Sequence, residues 1–187
     1  MGDKIGTTLK KELAGLPEPF VVLVLTQPST HFNAYLDLMD FAINHEKMKG
    51  LCITITRTVG SLKATLESRE ISTENIHFID CISRVTGSSM ECENCEFVSH
   101  PSNLTDISIA LTNSLNKMGE GRKFLVVDSW SSLLIYNDQK KVLGFSNFII
   151  NKLRAKNING FIITLQTKNN EEFVNSLSIF CDKVINL

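Results

Sequence analysis

The segment 27–34 carries side chains that could bind phosphate, directly after an apolar run. Phe20–Thr26 is apolar and rich in β-branched residues, which predicts a buried strand. A helical pattern follows the segment, so the order is strand, loop, helix, as in phosphate-binding loops. Thr30, His31 and Asn33 are the polar side chains that could contact a nucleotide there.

A carboxylate at the end of a second apolar run completes this arrangement. The apolar run Lys123–Asp128 ends on an aspartate, and Ser129 follows it. In open α/β sheets, ligands bind at the carboxyl ends of strands, where such a side chain can hold magnesium. Asp128 is therefore either the remnant of a magnesium site or a polar residue that caps a turn through Ser129. Both residues join the candidate nucleotide site.

The phosphate-binding loop lacks the residue types on which its chemistry depends. A working loop needs glycines so that the backbone can surround phosphate, a lysine for charge, and a Ser or Thr for magnesium. The segment 27–34 contains no glycine and no lysine. The sequence therefore predicts that segment 27–34 has the position of a phosphate-binding loop and has lost the ability to bind phosphate.

Length and composition limit the classes of protein. The 187 residues, 43% of them hydrophobic and 21% charged, predict one globular domain over residues 1–187. The net charge of −1 argues against general binding to nucleic acid or acidic lipid. The apolar runs are too short to span a bilayer, so we expect no membrane association. Five cysteines, some in strand-like runs, favour a reduced, cytoplasmic protein.

Apolar runs alternate with segments of helical period along most of the chain. This alternation predicts an α/β fold, a three-layer sandwich with a mainly parallel central sheet. Residues 84–103 differ, because they are polar and have no apolar period, and we expect a loop or small insertion there. Asn103 and Asp106 have the spacing of a capping-box variant at the start of the next helix. The predicted strands are Phe20–Thr26, Leu51–Thr56, Ile76–Asp80, Phe124–Asp128, Gly160–Leu165 and Asp182–Leu187.

A C-x-x-C pair, Cys92 and Cys95, lies in the polar insertion. Such a pair is half of a structural zinc site, which takes four Cys or His ligands, and His100 and Cys81 are the nearest further candidates. A redox pair and two unligated surface thiols are the alternatives. The sequence leaves the three open.

Several local signatures together resemble the KaiC-like branch of the RecA-type ATPases, especially its small archaeal proteins. The segments concerned are Glu74–Ser83, Leu104–Ala110, Lys123–Leu134 and Cys181–Leu187. Their order and spacing extend the resemblance over nearly the whole chain. The resemblance implies a RecA-like P-loop fold, with Asp128 at the position of the carboxylate that holds magnesium.

The chain departs from that family in the residues that bind and hydrolyse ATP. Aligned with the family's Gly-Pro-Pro-Gly-Thr-Gly-Lys-Thr loop, Asn33 stands at the lysine and Ala34 at the magnesium-binding Thr, while Phe32 replaces a glycine. The acidic pair expected after the second strand is missing from Thr56–Gly60. The alignment predicts a degenerate Walker A loop and no catalytic carboxylate, and the protein is not expected to be an ATPase.

Two functional hypotheses follow from the resemblance and its departures. The first is a pseudo-ATPase that needs no cofactor and acts as a regulatory or scaffolding module, binding a protein partner or another copy through the RecA-type edge. Trp130 is then either a core residue or an exposed anchor for that partner. The alternative is a weak ATP-binding protein with an unconventional phosphate loop and magnesium at Asp128. Nucleic-acid binding is not expected, because no stretch combines aromatic and basic residues.

Overall fold

The computed structural model describes residues 2–88 and 92–187. The chain forms one seven-stranded sheet in the order β4-β3-β2-β5-β6-β1-β7, and all of the paired strands are parallel. This confirms the predicted α/β sandwich with a parallel sheet. The strands are β1 (Val21–Thr26), β2 (Lys49–Thr54), β3 (Ile76–Asp80), β4 (Cys95–Phe97), β5 (Lys123–Val127), β6 (Asn159–Leu165) and β7 (Lys183–Asn186).

Helices connect the strands and cover both faces of the sheet. They are α1 (Gly2–Leu13), α2 (His31–Asp40), α3 (Val59–Ser68), α4 (Ser83–Thr86), α5 (Leu104–Lys117), α6 (Gln139–Ala155) and α7 (Glu171–Ser178). A π-helical turn, Phe41–His45, extends α2, and short 3₁₀ helices cover Trp130–Ile135 and Lys168–Asn170. Among these described helices, none is both long and apolar enough to cross a membrane.

Two hydrophobic clusters, one on each face, hold the layers together. Leu38 of α2 and Leu62 of α3 pack on the first face, where α1 also contributes Leu9. Leu111 of α5 and Ile149 of α6 pack on the second face, together with α7. Strand side chains alternate between these two clusters, as the two-residue period of a strand requires.

Local signals in the sequence explain where several elements begin. At the start of α5, the Asn103 side chain accepts a hydrogen bond from Asp106 N (3.2 Å) and donates one to the Asp106 carboxylate (2.7 Å). The predicted capping interaction is therefore present, with the side-chain amide of Asn103 as the second donor. Strand β3 begins and ends at the predicted residues, Ile76 and Asp80.

The polar segment 84–103 contains more regular structure than the sequence indicates. Strand β4 lies within it and pairs with β3 as the edge strand of the sheet. The short helix α4 also extends into it as far as Thr86. Residues 89–91 of the predicted insertion lie outside the described part of the chain. Helix α7, which the sequence pattern did not predict, packs on the same face as α6.

Candidate functional site

The carboxyl ends of β1, β2 and β5 bring the sequence-predicted site residues to one edge of the sheet. Strand β6 lies between β1 and β5, while β2 flanks β5 on its other side. The loops that follow these strands meet at this edge, the usual ligand position of an open parallel sheet.

The connection from β1 to α2 is a tight turn. Strand β1 ends at Thr26 and α2 begins at His31, so only residues 27–30 form the loop. The Gln27 carbonyl accepts hydrogen bonds from the backbone N–H groups of Thr30 (3.1 Å) and His31 (2.9 Å), and from the Thr30 hydroxyl (3.3 Å). These donors thus point at a carbonyl group of the loop itself. In a phosphate-binding loop, by contrast, the backbone N–H groups point at the ligand.

His31 connects the ends of β1 and β5. Its Nδ1 lies 2.7 Å from the Thr26 hydroxyl, and its Nε2 lies 2.7 Å from the Asp128 carbonyl oxygen. Since a carbonyl only accepts, Nε2 carries the proton and Nδ1 accepts from Thr26. Burial lowers the pKa of His31, and the hydrogen bond to Asp128 opposes this only in part. The imidazole is therefore neutral at pH 7 and bridges two strand ends.

The Asp128 carboxylate accepts three hydrogen bonds from the loop that follows β2. Oδ1 accepts from Ile55 N (3.0 Å), while Oδ2 accepts from Thr56 N (2.8 Å) and from the Thr56 hydroxyl (2.6 Å). The residue is 3% exposed. Burial raises the pKa of Asp128, although the hydrogen bonds from Thr56 and Ile55 act in the opposite direction. We call this set of three bonds the Asp128 clamp, because it fixes the β2 loop to β5.

A second buried aspartate, Asp80, has the same kind of role at the end of β3, and the sequence analysis did not select it. It is 0% exposed. Its carboxylate accepts from Val59 N (2.7 Å) at the start of α3. It also accepts from the backbone of Ile82 (2.8 Å) and Ser83 (2.7 Å) and from the Ser83 hydroxyl (2.7 Å), at the start of α4. The sequence signal that could have identified this role is a strand that ends in Asp and is followed three residues later by Ser.

The side chains of Asn33 and Ser129, the remaining predicted nucleotide ligands, contact residues other than Asp128. Asn33 is exposed, and its side-chain oxygen accepts from Arg69 (3.0 Å). Ala34 is 1% exposed and belongs to the core. Ser129 is buried, and its hydroxyl lies 3.1 Å from the Ser131 hydroxyl.

An aromatic side chain and a guanidinium group cover the start of α2. The Arg57 guanidinium carbon lies 3.7 Å from the centroid of the Phe32 ring, within cation–π distance. Phe32 in turn stacks on Tyr35, with ring centroids 6.1 Å apart. Arg57 occupies the loop after β2, the segment from which the acidic pair of the resembled family is missing. The Arg57 guanidinium is therefore partly engaged by the Phe32 ring.

Two further predicted features lie away from this edge. Cys92 and Cys95 are joined as a disulfide, and among residues 2–88 and 92–187 no three Cys, His, Asp or Glu side chains form a metal-binding group. Zinc binding at this pair thus remains a prediction without a third described ligand. Trp130 is 0% exposed and donates to the Ser146 hydroxyl (2.6 Å), which makes it a core residue.

An open groove of about 1010 Å³ lies between the start of α5 and the first half of α6. Its apolar lining includes Ile135 and Phe148, which are 75% and 49% exposed. Tyr136 also lines it and contacts His100 edge to face, with ring centroids 5.3 Å apart. Both exposed apolar side chains thus lie on one open surface of the domain.

The fold defines the class of the protein. Two solved structures from Pyrococcus horikoshii superimpose on it, and both show a RecA-like α/β arrangement. The KaiC-like protein PH0186 aligns with a TM-score of 0.67 at 13% identity, over 95% of this chain and 76% of its own. The uncharacterized protein PH0321, solved with an unknown peptide, aligns with a TM-score of 0.71 at 12% identity, over 96% and 82%. This domain therefore has a KaiC-like, RecA-type fold.

The sequence also places the chain in a particular family. The family of unknown function DUF7504 matches residues 21–187, and the protein belongs to it. No curated protein matches the chain. The matched range includes every residue of the candidate site.

Proposed function

We propose that this protein is a KaiC-like domain that does not hydrolyse ATP and serves as a regulatory or scaffolding module for protein partners. One observation carries the proposal. The groups at the candidate site that could bind nucleotide or metal are hydrogen-bonded to one another, through the tight turn, the His31 bridge and the Asp128 clamp. In this proposal, residues 27–34 are the degenerate counterpart of a Walker A loop.

The geometry of the turn supports loss of phosphate binding. A phosphate-binding loop has about eight residues with glycines that let several N–H groups surround the phosphates. The loop here comprises residues 27–30, and the Gln27 carbonyl is the acceptor for two of its N–H donors. The neutral His31 imidazole supplies no charge to replace the missing lysine. A triphosphate would meet few free donors, and the Arg57 guanidinium at the start of α2 already packs on the Phe32 ring.

The Asp128 clamp supports loss of magnesium binding. A metal ion at this carboxylate would compete with the hydrogen bonds from Ile55 and Thr56. Hydrogen bonds to a charged group contribute about 1.5–3 kcal/mol each. Ala34, buried in the core, offers no hydroxyl as a second ligand. The residues present do not fit a magnesium nucleotide, and no catalytic step is assigned to them.

Two observations support a protein-facing role. The groove near Ile135 and Phe148 exposes apolar side chains that a partner could cover. The structural neighbour PH0321 was solved in complex with an unknown peptide. A heterologous partner and self-association through the RecA-type edge are both consistent with these surfaces. Sedimentation velocity over a wide concentration range separates them, because only self-association shifts the sedimentation coefficient of the pure protein.

The experiment that tests loss of nucleotide binding is titration calorimetry of ATP and ADP into the pure protein, with and without magnesium. We expect no saturable heat up to millimolar nucleotide. This result corresponds to a Kd above about 1 mM, or a binding free energy weaker than about −4 kcal/mol. Micromolar binding that requires magnesium would overturn the proposal and favour the weak ATP-binding alternative. In that event, His31→Ala should weaken binding and the exposed control His45→Ala should not, since His45 lies outside the site.

A further inference from the structure

The Cys92–Cys95 disulfide lies at the entry to the edge strand β4. The Cα atoms of the two cysteines are 5.3 Å apart, and Cys95 is the first residue of β4. Both side chains are partly buried against the hydrophobic cluster on the α1–α3 face. The pair is therefore part of the folded domain and remains partly accessible to small molecules.

A lysine lies beside one of the two sulfur atoms. The Lys63 ammonium is 3.9 Å from Cys92 Sγ, and it also lies 5.7 Å from the centroid of the Phe78 ring. A cation next to a cysteine favours the thiolate, which is the reactive form in disulfide exchange. Cys95 has no such contact among the described residues. The arrangement distinguishes Cys92 as the attacking sulfur and Cys95 as the resolving one.

The other three cysteines lie in environments that suppress this chemistry. Burial raises the pKa of Cys52 and Cys81 far above the ordinary value for a thiol. It also raises the pKa of Cys181 to about 12. All three are protonated at neutral pH, and none forms a disulfide. Reactivity toward disulfides is therefore confined to the Cys92–Cys95 pair.

The disulfide closes a loop that is hydrogen-bonded to the sheet. Within this loop, the Asn94 carbonyl accepts from Phe78 N of β3 (2.8 Å). Two residues after Cys95, Phe97 pairs with Asp80, whose carboxylate holds the starts of α3 and α4. A covalent bond between Cys92 and Cys95 thus restrains the point at which β4 joins the sheet.

We propose that Cys92 and Cys95 form a thiol–disulfide exchange site that switches the entry to β4 between a covalently restrained and a released state. The co-reactant is a low-molecular-weight thiol and its disulfide. The Cys92 thiolate attacks the small disulfide, forms a mixed disulfide and releases one small thiolate. The Cys95 thiolate then attacks Cys92 Sγ, which closes the protein disulfide and releases the second. The two protons lost by the cysteines end on the two small thiols, and the reverse sequence reduces the protein.

The first test counts free thiols at defined redox potential. The full chain is equilibrated in mixtures of reduced and oxidised dithiothreitol, quenched with acid, unfolded and labelled with a maleimide. We expect five labels in the reduced protein and three in the oxidised one, because the chain has five cysteines. Peptide mapping should place the lost labels on Cys92 and Cys95. Five labels at every potential, or lost labels on other cysteines, would overturn the proposal.

The second test addresses the role of Lys63 in making Cys92 the attacking sulfur. In the reduced protein, Lys63→Met should slow the reaction of Cys92 with a small aromatic disulfide by about twofold to sixfold, as expected for loss of a charge about 4 Å away in water. Lys156→Met, which removes a charge from the end of α6, is the matched control and should leave the rate unchanged. Equal rates in Lys63→Met and the wild type would refute the assignment.

The third test measures the structural switch by hydrogen exchange. Reduction should lower the protection of the Phe78 amide, which donates to Asn94, and leave the central strand β5 unchanged. Cys95→Ser should show the reduced pattern at every potential. Identical protection of Phe78 in the oxidised and reduced protein would show that the disulfide does not act on β4.

Discussion

Replacement of Asp128 by alanine distinguishes a structural carboxylate from a catalytic one. In the wild type, three donors from Ile55 and Thr56 converge on this side chain. Alanine leaves all three without their acceptor and detaches the β2 loop from β5. We therefore expect Asp128→Ala to unfold more easily, in the presence or absence of nucleotide.

The size of the effect follows from the exposure of the three donors. Ile55 is buried, so its N–H loses its partner at a cost of about 1–3 kcal/mol. Thr56 is exposed, and water can replace the carboxylate there at a smaller cost. Loss of the buried charge offsets part of the total, because burial raises the pKa of Asp128. We expect the free energy of unfolding to fall by about 2–4 kcal/mol.

Urea unfolding followed by the fluorescence of Trp130, the single tryptophan, measures this change. For a chain of this size, a loss of 2–4 kcal/mol lowers Tm by about 5–15 °C. Glu74→Ala is the matched control, since Glu74 is an exposed carboxylate in the turn before β3. Its effect should stay below about 0.5 kcal/mol.

The same variants can also refute a structural role for Asp128. If Asp128→Ala unfolds within about 0.5 kcal/mol of the wild type, the Asp128 clamp contributes nothing to stability and the structural interpretation is wrong. A double-mutant cycle with Thr56→Ala adds a second check. Because Thr56→Ala removes the hydroxyl that donates to Asp128 and keeps the N–H, the two substitutions should be non-additive by about 0.5–2 kcal/mol through that one hydroxyl bond.

Two further predictions concern His31 and Trp130. Because burial lowers the pKa of His31 and of His77, the unfolded chain binds protons that the folded chain does not, and stability should fall as the pH drops below 6.5 towards the lowered values. The urea midpoint should fall less between pH 7.5 and pH 5.5 in His31→Gln than in the wild type. His77→Gln measures the contribution of His77 in the same way. If the urea midpoint of His31→Gln falls as much as that of the wild type, the prediction is wrong. Ser146→Ala should cost about 1–3 kcal/mol, because it leaves the buried indole N–H of Trp130 without its acceptor. Thermal unfolding measures this cost, and a stability equal to that of Ser108→Ala, on the partly exposed side of α5, would contradict it.

The sequence predicts most of the sheet because each central strand is buried on both faces. A strand such as Ile76–Asp80 must then be apolar nearly throughout, which makes it visible as a run. Strand β4 was missed because it has three partly buried residues at the sheet edge and needs no apolar run. Helix α7 was missed because it is short and begins with two exposed glutamates, so its apolar stripe is narrow.

The sequence predicts where the residues of the candidate site lie relative to the strands. It does not predict their hydrogen-bond partners. Asp128 stands at a strand end, a position that the pattern of apolar residues reveals. Its partners Ile55 and Thr56 are more than 70 residues earlier in the chain, and no local pattern records such a contact. The same applies to His31, whose partner Asp128 lies 97 residues away. Residue types alone therefore suggested metal and phosphate ligands, whereas the structure uses these side chains to join strand ends.

The topology of the sheet has a consequence for synthesis of the protein. Strand β1, an apolar strand near the N-terminus, has β6 and β7 as its two neighbours, and both are made from residues 159–186. At ribosomal rates of about 5–20 residues per second, roughly 10–30 s pass between the emergence of β1 and that of β7. Until β6 emerges, neither edge of β1 has its partner in the nascent chain, and the edge that pairs with β7 waits longer. Protection of β1 from aggregation must therefore come from outside these strands until residues 159–186 are translated.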